Sequence, residues 1–286
     1  MDVGLEVIFV AGAATLGGFA GFRVATMGRL AWIGGYAVAL GYFLLKAAAQ
    51  FEHRLDFIPP LSWINHGWGP EWARAGLGAF LPATLIPRLP RTRDRTALAG
   101  LSLFMLLAVS IWPAAAPGLN RGTLAQLATE IDADGICRQR TTYTCGPAAS
   151  VTALRRLGLD AHEGPLAIAC RTTEATGTPP YRLAETLDRL YRQQGVQATF
   201  RHFPTSESLP RDGATIALMK FGLLLDHYVA ILEATPARVV VGDPLLGRRE
   251  LTPAEFDREW RHVGIVLQRR ESTPPPGASR RLLSVT

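Results

Sequence analysis

The feature that most constrains the fold is the uneven distribution of apolar residues along this 286-residue chain. Up to about residue 120 the sequence is rich in Ala, Gly, Leu, Phe and Trp and has few charges. Beyond that point charged residues recur every few positions, so the mean hydropathy of +0.13 averages two different halves. We therefore expect a membrane region followed by one soluble domain.

The membrane region contains four apolar stretches, Leu5–Phe22, Leu30–Ala49, Ala75–Pro87 and Thr96–Ala116. The third reaches only about 20 Å as a helix, against a hydrocarbon core of about 30 Å. It needs preceding residues or local thinning to cross, and the alternative is a re-entrant or surface helix. The sequence thus predicts about four transmembrane helices. The first lacks the basic start and the Ala-x-Ala site of a cleaved signal peptide.

The arginines of this region predict its orientation. Two loops carry them, between the first and second stretches and between the third and fourth: Arg23, Arg29, Arg88, Arg91, Arg93 and Arg95. By the positive-inside rule both loops face the cytoplasm. The chain would then be an integral protein of the cytoplasmic membrane with its soluble domain outside, and that domain would face inward if the third stretch does not cross.

Neither a cofactor, a metal ion nor a nucleic acid is expected as a partner. The loop after the second stretch holds Trp63, Trp68, Trp72, His53 and His66, whose spacing favours aromatic anchoring at the bilayer over metal binding. The net charge of +6 is spread over both halves and is interleaved with acids in the second, which is typical of a solvated surface.

The pattern of the soluble half predicts helices followed by strands, which is the order of an α+β domain. Helices are predicted at Gly146–Leu157, Glu163–Arg171 and Tyr181–Gln194, after a linker at residues 118–122 and a strand or turn at Thr123–Ile131. Strands are predicted at Ala198–Phe203, Ala214–Phe221, His227–Ala234, Arg238–Val241 and Val263–Gln268. The predicted domains are residues 1–120, the membrane region, residues 121–271, the soluble domain, and residues 272–286, a disordered tail.

Residues 137–150, "CRQRTTYTCGPAAS", contain the candidate nucleophile. Cys145 opens a predicted helix, where free N–H groups and the helix dipole stabilise a thiolate. Such a thiol needs an imidazole to take its proton and a third group to orient the ring. His227 begins a strand in "LLLDHYVAILE", and a hairpin returns the chain to Asp243 beside it, within reach of Nδ1.

Other residues are candidates for the same roles or for supporting ones. Gln139 lies six residues before Cys145 and is a candidate amide donor to an oxyanion. Asp226 is adjacent to His227 on the strand, so it should point away from the site as a surface aspartate. Three further histidines are alternative bases: His162, His202 and His262.

The segments "QRTTYTCGPAA", "DHYVAIL", "VVVGDP" and "LTPAEFDREW", in this order, resemble peptidase family C39. These papain-like cysteine peptidases cut double-glycine leaders from bacteriocin and related precursors. The resemblance covers about residues 130–270 and implies Cys145 as nucleophile, His227 as general base and acid, Asp243 as orienter and Gln139 in the oxyanion hole. It also implies structural roles for the Gly177-Thr178 pair and for Phe256 and Trp260.

Two features depart from the well-known members of that family. Those members are fused to ATP-driven exporters, whereas this sequence has no Gly-x-x-x-x-Gly-Lys-Ser/Thr loop and too few spans. The remaining cysteines, Cys137 and Cys170, are hypothesised to form a disulfide if the domain faces outward, the alternative being two free thiols.

The expected function is a membrane-anchored cysteine peptidase acting on a peptide or precursor protein, with a separate transporter as a candidate partner. Two alternatives stay open: an acyl-transfer enzyme of the same fold, because the triad serves acyl transfer generally, and a non-catalytic peptide-binding module.

Overall fold

Ten α-helices and eight β-strands lie within the residues that the computed structural model describes, 3–65, 69–222 and 225–269. The helices of the first half are α1 (Val3–Thr26), α2 (Arg29–Ala49), α3 (Leu61–Ile64), α4 (Gly69–Leu85), α5 (Thr92–Leu106) and α6 (Trp112–Ala125). A π-helical segment, Leu107–Ile111, joins α5 to α6 in one continuous helix. His66, Trp68 and the predicted tail from residue 272 lie outside the described residues.

Three helices are long and apolar enough to cross a membrane: Val3–Thr26, Arg29–Ala49 and the continuous helix Thr92–Ala125. The prediction of about four spans is therefore wrong by one. The third apolar stretch forms α4, which has 17 residues and so reaches about 25 Å, short of a hydrocarbon core of about 30 Å. Apolar side chains on the three long helices point outward, as on Leu30 and Leu16, which are 87% and 71% exposed.

Helix α4 packs along α1, and the two helices run in the same direction. A Cβ atom on Gly17 would lie 2.0 Å from the carbonyl oxygen of Gly76, so only glycine permits this approach of the two backbones. At one end of the pair, Arg88 donates from Nη2 to the carbonyl oxygen of Ala25 at 3.2 Å. Both arginine-bearing turns therefore lie at the end of the helices that is remote from the soluble domain.

The soluble domain is a six-stranded antiparallel sheet with helices on both faces. Its elements are β1 (Glu130–Ile131), β2 (Cys137–Arg138), α7 (Cys145–Arg156), α8 (Glu163–Ala169), α9 (Pro180–Tyr191), β3 (Val196–His202), β4 (Ala214–Lys220), β5 (Asp226–Ala234), β6 (Val239–Asp243), β7 (Gly247–Leu251), α10 (Pro253–Glu259) and β8 (Trp260–Arg269). The strand order is β3-β8-β4-β5-β6-β7, and β1 and β2 form a separate ribbon.

Alternation along the central strands builds two cores. In β5, Tyr228 and Ala230 face α7, α8 and α9, whereas Val229 and Ile231 face α10. Phe256 and Trp260 belong to the second core, with ring centroids 4.9 Å apart and no exposed surface. The predicted α+β domain with an antiparallel sheet is confirmed.

The predicted elements of this domain are present with shifted ends, and three were missed: β2, β7 and α10. The sequence of β7, "GRREL", carries too many charges to predict a strand. It forms an edge strand, paired with β6 on one side. Helix α10 is stabilised by a capping box between Thr252 and Glu255. The residues expected to form a linker, 118–122, are helical within α6.

The membrane region contacts the soluble domain through polar and aromatic side chains, at a contact that we call the junction. It is formed by Glu6, His53, Asp56, Phe57, Asn65 and Glu71 on one side and Arg171, Tyr181, Arg182, Phe200 and Asp226 on the other. Phe57 and Phe200 stack with centroids 5.1 Å apart, and Asn65 donates to the hydroxyl of Tyr181 at 2.6 Å.

His53 is expected to make the junction dependent on pH. Burial lowers its pKa, but hydrogen bonds with Asp226 and Asp56 and the charges of both raise it, to about 9. Because the folded-state pKa exceeds that of an unfolded chain, this stabilisation is complete below about pH 6.5 and is lost as the pH rises through about 9.

Hydrogen exchange of the purified full chain at residues 53–57 and 226–228 measures this effect. After correction for intrinsic rates, protection should fall between about pH 6.5 and about pH 9.5, and His53→Ala should be unprotected at both. Equal protection of the unmodified chain at the two pH values would contradict the assignment.

Candidate active site

Cys145 is the first residue of α7, the central helix of the domain. Its side chain is partly exposed, whereas the residues Gly146–Leu154 that follow are buried. A Cβ on Gly146 would lie 3.3 Å from atoms of Thr178, Leu183 and Tyr228, so glycine after the cysteine lets the helix start pack closely. The thiol is thereby held at a rigid helix start and stays accessible to solvent.

His227 and Asp243 meet across the β5–β6 hairpin. The strands pair antiparallel with Ala230 opposite Gly242, which brings the start of β5 and the end of β6 together. Nε2 of His227 lies 2.8 Å from Oδ1 of Asp243, and both residues are buried. The sequence predicted this neighbourhood, but its assignment of Nδ1 to the carboxylate is wrong, because the ring presents Nε2 to Asp243.

The ring nitrogen that remains, Nδ1, is the one available to Cys145. Burial lowers the pKa of His227, but hydrogen bonds with Asp243 and Cys145 and the charges of both raise it, to about 9. Burial raises the pKa of Asp243, but its hydrogen bonds with His227, Leu245 and Leu246 bring it below its ordinary value. The pair therefore favours an imidazolium held by a carboxylate.

Asp243 is itself fixed by the turn that follows it. Oδ1 accepts from the backbone N–H groups of Leu245 at 2.8 Å and of Leu246 at 3.2 Å. These bonds orient the carboxylate before it meets the imidazole, so the ring of His227 receives a rigid partner.

Gln139 lies in the loop that enters α7, and this loop is tied to the other residues of the site. Its backbone N–H donates to the carbonyl of Pro244 at 3.1 Å, next to Asp243. Its amide Nε2 donates to the carbonyl of Thr141 at 2.7 Å, and its Oε1 is buried without a hydrogen-bond partner. One of the two amide N–H bonds is thus used within the loop, and the other is left for a ligand.

Glu163 is a residue of this site that the sequence did not reveal. It has no exposed surface, and its Oε1 accepts from the backbone N–H of Arg140 at 2.9 Å, which fixes the loop beside Gln139. Burial raises its pKa, although hydrogen bonds with Thr144 and Arg140 lower it. A Glu at the start of a predicted helix has an ordinary capping role, so no sequence signal distinguished it.

The alternative residues lie elsewhere. His162 is exposed beside Asp160, His202 packs near Phe57, and His262 stacks on Trp260. Asp226 points away from His227, as expected, but it is not a simple surface residue: Oδ1 accepts from Arg261 at 2.7 Å, and Oδ2 lies 3.2 Å from Nε2 of His53.

The hypothesised disulfide is absent. Cys137 and Cys170 are free and buried, and desolvation raises the pKa of each thiol to about 12. Both belong to the core between the helices and the sheet, where they pack as small apolar side chains. Among the described residues, His, Cys, Asp and Glu form no group of three or more that could hold a metal ion.

Comparison with known proteins assigns a family to the second half of the chain. The sequence model of the Peptidase C39 family matches residues 134–272. An uncharacterized protein of Methanothermobacter marburgensis is 32% identical over 136 residues, which are 48% of this chain and 89% of that protein. Another from Methanothermobacter thermautotrophicus is 29% identical over 144 residues, which are 50% of this chain and 94% of that protein.

Two solved structures are also similar to part of the chain. The peptidase domain of Streptococcus ComA, a bi-functional ABC transporter involved in quorum sensing, is 20% identical with a TM-score of 0.40, covering 46% of this chain and 96% of that domain. A double glycine motif protease from an AMS/PCAT transporter, in complex with the leader peptide, is 17% identical with a TM-score of 0.40, covering 50% and 92%. With the family match over residues 134–272 and the 32% identical relative, the chain belongs to the Peptidase C39 family.

Proposed function

We propose that this protein is a membrane-anchored cysteine peptidase that cleaves a peptide or a leader segment of a precursor protein through Cys145, His227 and Asp243. The observation that carries this proposal is the geometry of His227, whose Nε2 is held 2.8 Å from Asp243 while the Cys145 thiol is near enough to raise the pKa of the same ring. A module that only bound peptides would need neither a buried carboxylate behind the imidazole nor an accessible thiol in front of it.

In the proposed mechanism, Nδ1 of His227 takes the thiol proton and Asp243 stabilises the imidazolium. The Cys145 thiolate attacks the carbonyl carbon of the scissile peptide, and its oxygen becomes an oxyanion facing the backbone N–H of Cys145 and the free amide N–H of Gln139. The imidazolium then protonates the leaving amine, and an acyl-enzyme forms. Water attacks this thioester with His227 as general base, which releases the acid and restores the thiol.

We propose that the soluble domain lies outside the cytoplasm. Although α4 is shorter than the three candidate spans, it runs beside α1 from the junction to the arginine-bearing end, so it returns the chain to that end as a crossing helix would. Both arginine-bearing turns lie at the end of the helices remote from this domain, and arginines near span ends favour the cytoplasmic side. The free thiols of Cys137 and Cys170 give no support to this orientation, which therefore rests on the arginines.

Substitutions at the four site residues test the peptidase. Cys145→Ala and His227→Ala should abolish cleavage, whereas Gln139→Ala should lower kcat about 10²–10³-fold, the effect of one oxyanion donor. Asp243→Asn should leave a small residual rate. The measurement is kcat and KM on a peptide library in detergent, with alkylation by iodoacetamide at Cys145 as a second readout. Near-full activity of His227→Ala would show that another residue is the base.

The pH profile is expected to have an alkaline limb set by His227. Cleavage should fall as the pH rises through about 9, because the imidazolium that protonates the leaving amine loses its proton there. In Asp243→Asn the carboxylate charge is lost, the pKa of His227 falls, and the limb should move to lower pH. An unshifted limb in this variant would contradict the assigned partner of the ring.

The orientation predicts which side of the membrane exposes each segment. In sealed right-side-out vesicles, protease added outside should digest the soluble domain and leave a tag inserted between Arg91 and Arg93 intact. Permeabilised vesicles provide the control, in which the tag is also digested. Digestion of the tag alone in sealed vesicles would place the domain in the cytoplasm.

A further inference from the structure

Two segments flank the start of α7, and each contacts the membrane region. One is β5, in whose first residue, Asp226, Oδ2 lies 3.2 Å from Nε2 of His53. The other is the segment 171–178, whose Arg171 forms an ion pair with the buried Glu6 of α1. Any cleft between these two elements therefore lies beside the junction.

Cys145 lies between the same two elements. A Cβ on the following residue, Gly146, would lie 3.3 Å from Thr178 at the end of the 171–178 segment and 3.3 Å from Tyr228 of β5. The hydroxyl of Tyr228 donates to the carbonyl of Thr178 at 2.8 Å, which ties the two elements together behind the nucleophile. The catalytic groups thus stand on the side of the domain that faces the membrane helices.

The distance from these groups to the end of a span is short. His53 comes four residues after Ala49, the last residue of α2, and it contacts Asp226, the neighbour of His227. At about 3.3–3.6 Å per extended residue, this path places His227 within roughly 30 Å of the end of α2. A substrate chain covers that distance with about nine extended residues.

Exposed apolar side chains mark the junction as a region near the bilayer surface. Phe51, Ile58 and Trp63 lie between α2 and α4 and are 59%, 46% and 76% exposed. Aromatic residues beside a span end are typical of the membrane–water interface. These side chains therefore place the junction, and the start of α7 beside it, close to the lipid surface.

From this placement we infer that the substrate is itself held in the membrane, and that its scissile bond lies within about ten residues of its own membrane segment. The inference rests on the proposed peptidase function and adds the class of substrate. A membrane-held precursor would present its juxtamembrane residues at the height of Cys145, whereas a freely soluble peptide would have to enter between the domain and the bilayer.

Reporter substrates in proteoliposomes that contain the full chain test this inference. Each has one apolar helix, a Gly/Ser spacer, a randomised eight-residue cleavage segment and a soluble tag. The centre of the segment lies 10 or 40 residues from the helix, and these substrates are called the 10-residue and the 40-residue spacer; a third lacks the helix. Cleavage is quantified as released tag by mass spectrometry, with Cys145→Ala as the blank. We expect the 10-residue spacer to be cleaved within about threefold of the 40-residue spacer, and the helix-free substrate at least about tenfold more slowly.

The outcomes separate the inference from the function on which it rests. Cleavage of the helix-free substrate as fast as the others, or of the 40-residue spacer alone, overturns the inference and leaves the peptidase standing. Absence of Cys145-dependent cleavage in every arm, with Cys145 unreactive toward iodoacetamide, overturns the peptidase and the inference with it.

A matched pair of variants connects the result to the junction. His53→Ala removes a side chain that contacts the carboxylates of Asp56 and Asp226, whereas Arg238→Ala removes one that pairs with Glu233 and Glu250 at the other end of β5. The ratio of cleavage with the 10-residue spacer to that with the 40-residue spacer should fall in His53→Ala and stay unchanged in Arg238→Ala. An equal ratio in both variants would contradict a role of the junction in setting the distance of Cys145 from the membrane.

Discussion

The hydrogen bond between His227 and Asp243 is the interaction on which the rest of the site depends. It joins the second residue of β5 to the last residue of β6, both buried, so the hairpin register sets the position of the imidazole. With Nε2 held by the carboxylate, rotation of the ring is limited and Nδ1 is directed toward the helix start. The charge of Asp243 also offsets the cost of burying an imidazolium.

Part of this arrangement could be predicted from local sequence. Alternating apolar residues and a short turn between His227 and Asp243 give a hairpin, and a hairpin brings its two ends together whatever the surrounding fold. Cys145 was placed at a helix start by the Gly-Pro that follows it. These predictions depend on contacts between residues that are close in the chain, which is why they hold.

The remaining contacts join distant segments and left no local pattern. The orientation of the imidazole depends on which face of β5 meets α7, and a strand pattern does not give this. The contact of His53 with Asp226 joins residues 173 positions apart, and the hydrogen bond of Glu163 with Arg140 depends on how α8 meets the loop. The predicted number of spans was wrong for another reason. Helix α4 is apolar but short, and a hydropathy profile does not show that it packs against α1 through Gly17 and Gly76.

The junction gives the membrane helices a role beyond tethering. The carboxylate of Glu6 is 1% exposed and is paired with Arg171 and Arg182, so a substitution that removes either arginine would leave a buried charge with fewer partners. Breaking a buried pair of this kind typically costs about 3–5 kcal/mol, far more than an exposed pair. A domain on a flexible tether would sample many heights and orientations, whereas this one is held by ion pairs at β5 and at the segment 171–178, the two elements beside Cys145. In the proposed peptidase, this docking would restrict which polypeptides reach Cys145 before any contact at the cleavage site selects among them.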